Sequence, residues 1–411
     1  MRIRIADNTR AGFILVAMAA MIVALFLSRA TLSIALIFFV AATSVHKNYN
    51  QQLRNFFKTP LLAGMALLFL LPFVSGLWSS NMQEWRGLVR IKLPLFFLPL
   101  AFAGPWQLSS KQWRFLLFLF IAVVAAGTAW SFCIYWLDKG AINESYLRAK
   151  VFQTPLQNDH VRFSWMVAVA ALLCLWVAEN SRRWMKGIAV VFALWFAVYL
   201  HVLAARTGLV ALYLMLVLYG LLKLFQTQKK AVVFAALCSI AFLPLLAWKL
   251  MPTFQNRIKY FMYDFSFAKS GAYLPGGNDA NRMLSFRAGW AVLKKHPLGT
   301  GAGDVFDETT KWYGANVPGM LATDKLYPSS EWLLYGGSTG WIGLLIFTAV
   351  MLLPFFYKPT ANRFYWIALS GTAAFTFLFD IGLEVQYGVF LYAFIVLWWW
   401  KWFSQTDDTA L

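Results

Sequence analysis

Arg282-Met283-Leu284-Ser285-Phe286-Arg287-Ala288-Gly289-Trp290, then His296-Pro297-Leu298-Gly299-Thr300-Gly301-Ala302-Gly303, lie inside the longest polar interruption of an otherwise apolar chain. The interruption starts near Pro252. It closes with Tyr327-Pro328-Ser329-Ser330-Glu331-Trp332-Leu333-Leu334, and Gly340-Trp341-Ile342-Gly343 opens into the next apolar run. At roughly 80 residues it is too long for a simple connector. It reads as a folded insert, with helices of its own, that lies on a membrane surface and caps something.

The flanking sequence decides the class. Of 411 residues, 60% are hydrophobic and 13% charged. Apolar stretches near 20 residues recur from end to end, each able to cross a hydrocarbon core of about 30 Å as a helix. The expected fold is all-α: a polytopic membrane protein with about 12 transmembrane helices and one long extracytoplasmic loop. Candidate spans are 11–27, 30–45, 60–78, 88–104, 113–137, 160–179, 185–204, 206–225, 230–250, 331–357, 362–380 and 385–403. The chain therefore divides into residues 1–251 with nine spans, the loop 252–330, and residues 331–411 with three spans and a tail.

The formal net charge of +19 suggests nucleic acid until the basic residues are located. They collect in short loops, as Lys47, Arg54 and Lys58, Arg182, Arg183 and Lys186, or Lys223, Lys229 and Lys230. That is the signature of a cytoplasmic face beside anionic headgroups, so no nucleic-acid partner is expected. With Arg2, Arg4, Lys358 and Lys401 on the same side, both termini are cytoplasmic and the insert is extracytoplasmic. Met1-Arg2-Ile3-Arg4 precedes an apolar run without a clear cleavage site, which reads as a retained first helix. Cys133, Cys174 and Cys238 lie in apolar runs without metal-type spacing. The four histidines are scattered, so neither a metal nor a cofactor is expected.

Ionisable residues at the ends of membrane helices are costly unless paired or solvated, and are functional candidates for that reason. Arg206 lies in the short turn Ala204-Ala205-Arg206-Thr207-Gly208; the bland alternative is a side chain snorkelling to the interface. Arg282 and Arg287 lie on one helix of the insert and read equally as a solvated face. Asp159, His160 and Arg162 begin one span, where His160 also reads as a hydrogen-bonded helix-start residue. Asp380, Glu384 and Gln386 mark the last turn, as supporting polar groups or as an ion pair with an arginine. Gly299-Thr300-Gly301-Ala302-Gly303 lacks the preceding strand and following Lys-Ser/Thr of a phosphate loop. It reads as a turn giving close backbone approach.

Arg206-Thr207-Gly208, Arg287-x-x-Trp290, the His296–Gly303 turn and Gly340-x-x-Gly343, in that order, resemble the O-antigen ligase/polymerase superfamily. The resemblance implies an inverting, metal-independent transferase at the periplasmic face of the bacterial inner membrane. It would move a glycan from undecaprenyl diphosphate to lipid A–core, or, in a polymerase, to another lipid-linked repeat unit. Arginines of the family hold the diphosphate, which casts Arg206, Arg282 and Arg287 in that role. A transporter of lipid-linked glycan or anions is the reading from another class, but no broken mid-membrane helices or paired halves stand out. The family's histidine falls on Ser329, and serine is no general base at neutral pH without a partner. Glu331 and then His160 are the acid–base candidates, while Trp290, Trp332 and Tyr327 are candidates for stacking on sugar or acceptor.

Overall fold

The computed structural model describes residues 7–406 except 149, 229, 271 and 358–361. Arg2, Arg4, Lys229 and Lys358, four of the basic residues that orient the chain, lie outside the described residues. The protein is 82% helix, with no strand among the described residues. Helices α1 (Asp7–Leu27) and α2 (Arg29–Ser44) are separate, because Ser28 caps α2 by accepting from the Thr31 N–H at 3.1 Å. Then follow α3 (Tyr49–Lys58), α4 (Pro60–Val74), α5 (Met82–Lys92), α6 (Pro94–Phe102), α7 (Ser110–Leu137) and α8 (Lys139–Ser145). Next come α9 (His160–Asn180), α10 (Arg183–Leu203), α11 (Arg206–Gln226) and α12 (Lys230–Leu250).

The polar insert folds as α13 (Pro252–Ser270), α14 (Asp279–Lys295) and α15 (Val305–Asn316). The chain ends in α16 (Glu331–Phe356), α17 (Arg363–Phe379) and α18 (Gln386–Thr406).

Among the described residues, eight helices are long and apolar enough to cross a membrane, or nine if the α2–α3 pair, bent by 109°, is one span. The protein is a multi-pass membrane protein. The difference from the expected dozen has physical sources. The expected span 88–104 is two helices, because Pro94 has no N–H to continue α5 and instead starts α6. Helix α17 has only 17 residues. Helix α18 is apolar on every side but rich in tryptophan, and it is buried from 387 to 399, as α9 is from 163 to 174. Helices apolar all round belong in the interior of a bundle, and these two form its centre. Both begin at the same end of the bundle, with Asp159 capping α9 through the Arg162 N–H at 3.1 Å. The insert packs on that end, with α14 against α13, α15 and α16.

Candidate functional site

The turn between α10 and α11 sets the first charge. Ala204 takes a left-handed conformation (φ 48°) and ends α10, and Arg206 opens α11 two residues later. Gly208 lets α11 meet α9: a Cβ there would lie 2.5 Å from Ser164 Cβ and 2.7 Å from the Ser164 carbonyl oxygen on α9. Arg206 reaches across to the insert, donating from Nη1 to Asp279 Oδ1 at 2.5 Å, with its guanidinium over the Phe261 ring.

The start of α14 is held by Asp264 of α13. Its buried carboxylate accepts the backbone N–H groups of Asn278 (2.9 Å), Asp279 (2.6 Å) and Ala280 (3.1 Å). An anion at a helix N-terminus satisfies donors that have no partner within the helix. This cap fixes both Asp279 and, one turn on, Arg282, whose Nη1 donates to the Phe379 carbonyl at 3.0 Å.

Arg206, Asp279, Arg282 and Asp380 share the lining of a cavity of about 400 Å³. Phe261, Phe265, Phe286 and Phe375 supply apolar wall. Behind it, Arg162 Nη2 pairs with Asp380 at 2.8 Å and Nη1 with Asp159 at 3.5 Å. Burial pushes the Arg282 guanidinium below its ordinary value while Asp380 pulls it back up. Arg257 of α13 is likewise lowered by burial, with the charge of Arg206 adding to the effect. Burial raises Asp380, and Arg162 and Arg282 oppose that rise. Two arginines, Arg206 and Arg282, and two carboxylates, Asp279 and Asp380, thus meet at the cavity, with Arg162 directly behind Asp380. The site is a preorganised, partly desolvated recess with guanidinium groups beside an apolar wall, suited to a phosphate bearing a lipid tail.

Arg287 does not join this group. It is exposed on another face of α14 and is absent from the cavity lining. His160 is half-buried at the start of α9, in the electrostatic neighbourhood of Arg257, Asp159 and Arg162.

Glu331 is fully buried. Its Oε1 accepts the Leu383 N–H, and its Oε2 has no hydrogen-bond partner among the described residues. Lys92, also buried, binds the same turn, donating to the Leu383 carbonyl at 2.9 Å and to Glu384 Oε1 at 2.6 Å. Glu384 therefore pairs with a lysine, whereas Asp380 pairs with an arginine. Together Glu331 and Lys92 hold the 380–386 turn that brings Asp380 to the cavity. Ser329 is buried and occupied: its backbone N–H donates to Ser285 Oγ at 3.1 Å, and its Oγ is 2.8 Å from the same hydroxyl.

The aromatic candidates are dispersed. Trp290 is exposed and packs edge-on against Trp341, and Trp332 donates to Thr348 Oγ1 at 2.9 Å within its own helix. Tyr327 donates to Glu84 and packs at a tilt against Phe306; burial, with Glu84 beside it, raises its hydroxyl pKa.

The glycine turn is a joint. Thr300 N–H and Gly301 N–H donate to the carbonyls of Gly337 (2.8 Å) and Ser338 (3.0 Å). Ala302 N–H and Gly303 N–H donate to Ser75 Oγ (2.9 Å) and Ser79 Oγ (3.0 Å). The turn's amides are therefore engaged by protein and do not form an open phosphate cradle. Its partner is a break in α16 at Thr339 and Gly340, the latter at φ 72°, ψ −162°. Among the described residues, no three His, Cys, Asp or Glu side chains stand close enough together to hold a metal ion.

Lys92, Arg257, Asp264 and Asp279 carried no weight in the sequence reading. Charge inside or beside an apolar run marks Lys92; the other three are significant only through partners distant in the chain.

Comparison with curated proteins returns no match. The O-antigen ligase family model matches residues 191–348, from within α10 to within α16. The matched segment contains Arg206, Asp279, Arg282, the glycine turn and the Gly340 break, and its match supports the O-antigen ligase superfamily.

Proposed function

We propose that this glycosyl-transferring membrane protein is an O-antigen ligase. In this reading it moves a glycan from undecaprenyl diphosphate to lipid A–core at the periplasmic face of the inner membrane. The observation that carries the reading is the convergence of Arg206 and Arg282 on one cavity with apolar walls. An acceptor hydroxyl attacks the anomeric carbon from the face opposite the diphosphate. The new C–O bond forms as the bond to the phosphate oxygen breaks, and the configuration inverts. Negative charge grows on the departing diphosphate, so fixed positive charge nearby lowers the barrier. One guanidinium contact at 4 Å and an effective dielectric near 20 is worth about 4 kcal/mol before desolvation.

Asp279 keeps Arg206 oriented until the diphosphate competes for it, and Asp380 does so for Arg162. The acceptor's proton does not go to Ser329, which Ser285 engages. Glu331, enclosed and bound to the turn, serves as a positioning residue. His160 is the remaining acid–base candidate. The arginines supply the charge that a divalent ion would otherwise bring, so transfer is expected to persist in excess chelator.

The test is the surface glycolipid profile of a deletion strain, with and without plasmid-borne wild type or Arg282→Ala. Loss of long chains from lipid A–core, restored by wild type only, is the expected result. Accumulation of single-repeat glycolipid would instead make the protein a repeat-unit polymerase, and an unchanged profile would refute both.

A further inference from the structure

A second recess opens at the same end of the bundle. It is a groove of about 670 Å³ between α2, the α5–α6 break and the start of α18. The two recesses share a wall. Phe379 and Asp380, at the near end of the last turn, line the arginine cavity, and Glu384 and Gln386, at its far end, line the groove. The Leu93–Pro94 break keeps α5 and α6 from forming one continuous helix here, and Gln386 ties α18 to α2 by donating to Ser33 Oγ at 2.9 Å.

The groove is amphipathic and cationic. Arg29 and Arg90 line it, both exposed, and neither pairs with a carboxylate among the described residues, Arg29 being hydrogen-bonded to Tyr387. Arg29 is fixed over the Tyr387 ring, 5.4 Å from its centroid. The one carboxylate in the lining, Glu384, is neutralised by Lys92 at 2.6 Å, and its second oxygen is buried without a hydrogen-bond partner among the described residues. Phe97 and Phe390 provide apolar surface. Two guanidinium groups without a carboxylate partner among the described residues, beside such surface, match a lipid whose head carries phosphate.

A transferase with a lipid diphosphate in one recess needs a place for its second lipid. We propose that the groove binds the acceptor, an anionic glycolipid whose phosphate is held by Arg29 and Arg90. The proposal rests on the transferase reading above, and assigns to the acceptor a site separate from the donor's.

The test measures binding of three probes to the purified full chain in detergent: lipid A–core, the same lipid after enzymatic dephosphorylation, and phosphatidylglycerol. Undecaprenyl diphosphate is the control ligand. Wild type should bind phosphorylated lipid A–core at least tenfold more tightly than the other two probes. One charge-assisted contact corresponds to roughly tenfold or more in affinity. Arg29→Gln with Arg90→Gln should therefore weaken lipid A–core roughly a hundredfold and abolish the discrimination, with undecaprenyl diphosphate unaffected.

Equal binding of phosphatidylglycerol would make the groove a site for bulk lipid and overturn the proposal. So would discrimination that survives the double substitution, or a loss of undecaprenyl diphosphate binding. Phosphate-dependent binding without any transfer to lipid A–core would count against the transferase reading alone and leave the groove assignment standing.

Discussion

Gly340→Ala probes the joint between the glycine turn and α16. Gly340 sits at φ 72°, ψ −162°, a region open essentially to glycine. A Cβ there would lie 2.1 Å from the Pro297 carbonyl oxygen and 2.7 Å from Leu298 backbone atoms. These are backbone contacts, so no side-chain rotation relieves them. The Pro297 carbonyl is also the acceptor of the Trp341 N–H at 3.1 Å. Backbone strain costs about 1–3 kcal/mol, and overpacking in a fixed environment adds about 1–3 kcal/mol, so the substitution should destabilise by about 2–6 kcal/mol. Gly314 is the matched control: it lies inside α15, its Cβ would meet nothing within 4 Å, and its φ is not positive. Gly314→Ala should be neutral or stabilise by roughly 0.5–1 kcal/mol. Heating both variants in detergent and following the surviving monodisperse fraction gives the comparison. A Gly340→Ala protein as heat-resistant as wild type would refute the argument that the turn and the break are one close-packed joint.

Glu331→Gln keeps an oxygen for the Leu383 N–H and leaves Lys92 its pair with Glu384, so purified variant protein should lose less than about tenfold in transfer rate. A loss of about 10²–10⁴ would make Glu331 the general base after all. Restoring the family's histidine by Ser329→His should lower thermal stability by about 1–3 kcal/mol, because the site is closed by Ser285; an activated, fully stable variant would contradict this. Glu308 is held at about pKa 2, first by the hydrogen bond from Lys311 and then, against a smaller opposing effect of burial, by Lys295 and His296. Because its folded value is depressed, its contribution is complete above its ordinary value of 4.5 and is lost as pH falls through about 2. The stability difference between wild type and Glu308→Gln should therefore shrink as pH falls below about 4.5. A difference that grows below that pH would refute the assignment.

Much of the site was visible in the chain because membrane proteins penalise stray charge. Arg206, Arg162 and Asp380 stand out at the ends of apolar runs and Arg282 on a helix of the insert, and the structure brings all four together. Arg287 resembled Arg282 in type and neighbourhood, but five helical positions place it about 140° around α14, and the insert does not fold back to meet it. Asp279 and Asp264 were illegible for a different reason. Nothing local distinguishes a capping or pairing aspartate from a solvated one until Arg206, 73 residues away, and the α13–α14 corner are in place. Pro94 lies inside the expected span 88–104, where overall apolarity suggests one helix while a missing N–H and a ring clash favour two. Ser329 was read as a vacancy in a catalytic pattern, and only packing reveals that its hydroxyl is already bonded. The central position of α18 follows from apolarity on all faces, a property that also suits a lipid-exposed span.

The central claim is that Arg206 and Arg282 hold the lipid diphosphate and Arg287 does not. Its most direct test is the affinity of purified wild-type, Arg206→Ala, Arg282→Ala and Arg287→Ala proteins for undecaprenyl diphosphate in detergent. Charge-assisted contacts of about 1.5–3 kcal/mol predict losses of roughly 10- to 150-fold for Arg206→Ala and for Arg282→Ala, with Arg287→Ala within about twofold of wild type. Unchanged affinity in both of the first two variants, or a loss confined to Arg287→Ala, would contradict the account.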